Sequence, residues 1–125
     1  HSIKWWWRCR GIMQITLRPK VDGKRQERIY TLEYATGYHF RKVAEFDEKI
    51  DYSKITIKEM DELVGFVCDV FDDQFTVDEF YEGIPSHKVV STISDLFVYI
   101  RTGKTSEELA KEFNERLQEG NEQGK

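Results

Sequence analysis

The sequence predicts an α+β fold, mostly α, in which one N-terminal β-hairpin is followed by about five helices in a single domain. Three observations predict it. Asp22-Gly23 lies between two stretches that alternate apolar and polar residues, the strongest short-range hairpin signal. From Tyr38 onward, apolar residues recur every three or four positions, the period of a helix with one buried face. Three Thr-x-x-Glu boxes, beginning at Thr56, Thr76 and Thr105, mark places where a hydroxyl and a carboxylate can satisfy the free amides of a helix start.

With Asp22-Gly23 as a two-residue loop, the register is fixed. Val21 faces Lys24, Leu17 faces Arg28, Ile15 faces Tyr30 and Met13 faces Leu32, which puts the apolar residues on one face. On the other face Arg18 meets Glu27, Thr16 meets Ile29 and Gln14 meets Thr31. Pro19 falls near the turn, where a missing ladder donor costs little. A first helix is expected over Tyr38 to Ile50, with Phe40, Val43, Phe46 and Ile50 inward. The second opens at Thr56 and turns Met60, Leu63, Val64, Val67 and Phe71 to the core. A short third helix runs from Thr76 through Phe80 and Tyr81 to Gly83. Pro85-Ser86 begins a fourth, with Val89, Ile93, Leu96, Phe97 and Ile100 inward and Gly103 as its stop. The fifth starts at Thr105 and carries the narrow stripe Leu109, Phe113, Leu117.

The domain is expected to occupy 13–119, with residues 120–125 as a disordered, wholly polar tail. Residues 1–12 differ in kind from the rest. All three tryptophans, Trp5 to Trp7, stand there beside Lys4, Arg8 and Arg10. The segment reads as a tag remnant or as translated upstream sequence, since codons for Trp-Arg-Cys can contain a purine-rich ribosome-binding site, with Met13 as the start. The competing reading is an aromatic, basic arm for a membrane interface or single-stranded nucleic acid.

Composition narrows the function. A chain of 125 residues is one domain by length and can bury roughly two-thirds of its unfolded surface without a metal or disulfide. The formal net charge is −4; without Lys4, Arg8 and Arg10 the remainder carries −7. No block of Lys or Arg there can track a phosphate backbone, so neither nucleic acid nor an anionic membrane is an expected partner. With two cysteines, Cys9 and Cys68, there is no disulfide framework, and Cys68 reads as a small buried hydrophobe in a reducing compartment.

The residues contain no recognisable catalytic or cofactor constellation. His39, His87 and Cys68 lack metal-ligand spacing. The run Asp69 to Gln74 is not a calcium loop, because Phe71, Gln74 and Phe80 occupy the third, sixth and twelfth positions. Several of the serines look like helix starts, and none lies in a nucleophile elbow. Gly103-Lys104-Thr105 lacks the upstream glycine of a phosphate loop. Neither an enzyme nor a cofactor-binding protein is expected.

One stretch carries a resemblance. Phe66-Val67-Cys68-Asp69-Val70-Phe71-Asp72-Asp73-Gln74-Phe75-Thr76-Val77-Asp78-Glu79-Phe80-Tyr81-Glu82-Gly83-Ile84 resembles the central signature of tail assembly chaperones from long-tailed phages of Gram-positive bacteria. In that signature a helix ending in Val-Phe leads to a turn, Gln-Phe-Thr, an acidic helix start and a closing Gly-Leu or Gly-Ile. The likeness covers most of Met13–Leu117. It implies a non-enzymatic protein of the infected host's cytoplasm, absent from the mature virion, that binds the tape measure protein and keeps it soluble. It also implies delivery of tail tube protein, through a longer product made by a programmed frameshift. Gln123-Gly124-Lys125 permits the slippery heptamer G-GGA-AAA.

A homo-oligomer is left open. The alternative function is a structural tail or head–tail completion protein retained in the virion; a regulatory, antitoxin-like module is disfavoured by the lack of a basic reading helix. Two places are expected to meet the partner: Phe75, Phe80 and Tyr81 around the short helix, and Leu109, Phe113 and Leu117 on the last one. For both, packing within the chain is the competing reading, since aromatics at helical spacing are usually core.

Overall fold

The computed structural model describes residues 12–123, with side chains to 117. The leader apart from Ile12, together with Gly124 and Lys125, lies outside the described residues. Four short strands come first: β1 (Gln14–Leu17), β2 (Lys20–Val21), β3 (Lys24–Arg25) and β4 (Arg28–Thr31). They form one hairpin in two ladders, with Leu17 opposite Arg28, Ile15 opposite Tyr30 and Val21 opposite Lys24, the register expected from the turn. Asp22 and Gly23 have φ of 52° and 79°, as a type I′ loop requires. At the break between the ladders the Gln26 amide still donates to the Pro19 carbonyl at 3.0 Å. The Arg18 amide instead faces outward and donates to the carbonyl of Gly83 at 2.6 Å.

Among the described residues, five α-helices follow: α1 (Gly37–Lys49), α2 (Ile57–Val70), α3 (Val77–Gly83), α4 (Val89–Thr102) and α5 (Ser106–Gln123). Single 3₁₀ turns precede α2 and α4. The capping boxes at Thr56–Glu59 and Thr76–Glu79 are both closed in each direction. At α5 the Thr105 hydroxyl accepts from the Glu108 amide at 3.2 Å.

A further box opens α1, where Thr36 caps the His39 amide and His39 Nδ1 accepts from the Thr36 amide at 3.0 Å. Histidine in the carboxylate's place is not a recognisable box in the sequence. It also explains a correction to α1. His39, and not Phe40, is in phase with Val43, Phe46 and Ile50, and its ring packs on Phe66 at 5.9 Å while Phe40 is exposed.

α2 is the central helix, buried on more than the expected stripe: Phe66, Cys68 and Val70 join Leu63, Val64 and Val67 in the core. Its end explains the consecutive aspartates. Asp72 and Asp73 both adopt φ of 56°, the Asp73 amide bonds the Cys68 carbonyl at 2.8 Å, and the Asp72 amide bonds that of Asp69 at 3.0 Å. This is a Schellman closure in which aspartate, a residue that tolerates the left-handed conformation, takes glycine's usual place. α4 ends in the ordinary way, on Gly103 at φ 75°.

Two aromatic clusters hold the layers together. Phe46, Phe66 and Phe97 join α1, α2 and α4 at centroid distances of 5.5 to 6.1 Å. Tyr30, Phe71, Phe75 and Phe80 join the hairpin to α2 and α3. The last helix runs to Gln123, past the boundary at 120 expected from polarity alone.

Candidate functional site

The six residues expected to meet a partner fall in two places. Phe75 and Phe80 are core, with 1% and 0% of their surface exposed, and their rings stack at 6.1 Å. They are not available to a partner in the folded chain, which corrects that expectation. The physical reason is that the hairpin covers them: Tyr30 packs edge-on against Phe75 at 5.0 Å, and Gln74 Nε2 donates to the Thr31 carbonyl at 2.9 Å.

Tyr81, next to them, reaches the surface. Its ring lies edge-on to Phe80, and its hydroxyl donates to Asp61 Oδ1 at 2.7 Å, tying α3 to α2. Partial burial, and then that bond to a carboxylate, push its pKa up to about 12.

The signature stretch therefore encodes docking of the hairpin onto the helices. Gln74 anchors the strand end, Phe75 and Phe80 fill the joint, Thr76 starts α3, and Gly83 admits the hairpin backbone.

The second place is α5. Leu109 is half-buried, whereas Phe113 is 61% and Leu117 52% exposed. Spaced by four, the three lie along one side of the helix. The helix root is fixed to the body by polar contacts: Ser106 Oγ donates to Asp95 on α4 at 2.9 Å, and Lys104 pairs with Glu112. Beyond Leu109 the stripe continues while its cover does not.

A cleft that the sequence did not reveal lies between α1, α2 and α4. It holds about 450 Å³, its floor is Leu63, Ile93 and Phe97, and Ile55, Met60 and Val90 form its walls. One end is closed by Arg101 and Tyr52, which both bind Asp47. Burial and the bond to Asp47 raise the Tyr52 pKa to about 12. Val90 stands three and seven residues before Ile93 and Phe97, so it shares their side of α4 and lines the cleft with them. A wider groove of about 850 Å³ between α1 and α2 is lined by charges that largely pair among themselves, such as Lys42 with Glu45 and Lys49 with Glu62.

Among the described residues no polar or charged side chain is buried, and no group of three His, Cys, Asp or Glu is placed to hold a metal ion. No described helix is long and apolar enough to cross a membrane. Burial, with a smaller contribution from Asp73, pushes the Cys68 thiol up to about 11, opposite to what a nucleophile needs.

A family profile described as phage tail chaperone protein matches residues 13–118. The chain belongs to the phage tail chaperone family. The match takes in the hairpin, the signature stretch, the cleft and the whole α5 stripe, so the chaperone is matched across nearly all of its described fold. No curated protein and no solved structure matches the chaperone.

Proposed function

We propose that this chaperone acts in tail assembly by binding the tape measure protein and keeping it soluble, in the cytoplasm of the infected host, before the tail tube closes around it. The observation that carries the reading is α5, which extends from the body with Phe113 and Leu117 exposed in line with half-buried Leu109. A helix face of this kind suits helix-to-helix recognition, in which anchors spaced by three or four residues meet a partner's apolar stripe. Membership of a chaperone family supports a non-enzymatic role. The apolar cleft beside Val90 is a second place where a single large side chain could seat.

Co-expression with the tape measure protein tests the reading. The tape measure protein should move from the insoluble to the soluble fraction and co-purify with the chaperone. Phe113→Asp should weaken co-purification while the far-UV circular dichroism stays unchanged. If the tape measure protein stays insoluble and unbound beside the wild-type chain, the reading is wrong. Mass spectrometry of purified virions separates it from a retained structural component, which would be present at fixed copy number.

A further inference from the structure

The exposed stripe on α5 is a face without a described cover, and its charge says what kind of surface fits it. Between Ser106 and Gln123 stand six glutamates against Lys111 and Arg116, a net charge of −4. Residues 13–125 together carry −7, the formal −4 less Lys4, Arg8 and Arg10. More than half of that excess is therefore held by one helix of 18 residues.

We propose that the occupant of the α5 stripe is an amphipathic helix whose apolar side is flanked by lysine and arginine. This rests on the function proposed above and specifies the chemistry of the segment bound. Leu109, Phe113 and Leu117 supply the apolar contact, and the net negative charge of α5 favours a basic partner over an acidic one by raising its encounter rate. A second copy of this chain fits the stripe poorly. Two α5 helices laid together would oppose −4 with −4, and three partly exposed side chains from each fall well short of the roughly 1,200 Å² of a stable interface. The same modest area suits a reversible contact with a basic helix, which a chaperone has to release.

The test uses the full chain and two model helical peptides of about three heptads, with leucine at the inward positions. One carries lysine at the flanking positions and the other glutamate. By fluorescence anisotropy the lysine peptide should bind at least about tenfold more tightly, and that advantage should shrink at high salt. The double variant Phe113→Ser/Leu117→Ser should lose binding with its thermal midpoint kept. The triple variant Glu115→Lys/Glu119→Lys/Glu122→Lys, whose α5 has a net charge of +2, should reverse the preference.

Equal binding of both peptides, or lysine-peptide binding that survives the double variant, overturns the proposal. So does a dimer that the double variant converts to monomer, which would make a second copy the occupant. Co-purification of the tape measure protein is read in parallel. If it persists with the double variant, the chaperone role stands and this site is wrong; if the wild type fails to bind it, the role itself is wrong whatever the peptides do.

Discussion

Leu17 and Gly83 are packed so closely that no side chain fits between them: a β-carbon on Gly83 would lie 2.9 Å from the Leu17 β-carbon and 3.2 Å from the Arg18 nitrogen. Gly83 is therefore glycine for space and not for backbone freedom, since its φ is not positive. The Arg18 amide reaches the Gly83 carbonyl at this contact, and Arg25 Nη1 donates to the neighbouring Glu82 carbonyl at 3.0 Å. This is the seam where the hairpin closes on α3.

Gly83→Ala should accordingly cost about 1–3 kcal/mol, because the added methyl meets backbone and a fully buried leucine. The midpoint of urea unfolding reports it. An unchanged midpoint would mean that the hairpin can shift outward at no cost.

The turn gives an independent check on the hairpin. Gly23 has φ of 79° with open space around its α-carbon, so the strain of a substitution there is purely conformational. Gly23→Val should cost about 1 kcal/mol or more, whereas a variant that keeps glycine at this position and changes Asp22 to Asn should be nearly neutral. Equal losses from both would show that side-chain contacts, and not the dihedral, set the turn.

Phe80 and Phe113 should behave in opposite ways. Phe80→Ala empties a fully buried site between Phe75 and Tyr81 and should cost about 3–5 kcal/mol. Phe113→Ala removes a largely exposed ring and should change stability by about 0.5 kcal/mol or less, with its effect appearing in partner binding. Thermal unfolding and co-purification measured on the same two variants separate core from interface.

Alkaline pH should destabilise the chain through Cys68. The unfolded thiol ionises near its ordinary value of 9.0, the folded one only at about 11. Between these values the unfolded chain releases a proton that the folded chain retains, so stability falls as pH rises through that window. Tyr52 and Tyr81, raised from 10.0 to about 12, extend the fall above pH 10. Cys68→Ala should flatten the dependence between about pH 9 and 10 and lessen it up to about pH 11, read from urea midpoints. A slope equal to that of the wild type would assign the alkaline loss to the tyrosines alone.

The sequence by itself determined what local chemistry determines. Asp22-Gly23 set the turn, and with the turn went the register of every strand pair, because a hairpin loop of fixed length leaves no other alignment for the apolar face. The Thr-x-x-Glu boxes set the starts of α2 and α3, since a hydroxyl and a carboxylate three residues apart satisfy the same amides wherever they occur. Tertiary structure decided which periodic aromatics are covered. Phe80 and Phe113 look alike in sequence, each on an acidic helix at helical spacing, yet Phe80 is sealed by a hairpin some fifty residues earlier in the chain while Phe113 lies beyond the reach of α4. The same holds for Phe40 and His39, whose roles exchange through a phase shift of one residue, about 100° around the helix, that only the packing of α1 on Phe66 fixes. Burial depends on contacts distant in sequence, and periodicity names the face of a helix without naming what, if anything, covers it.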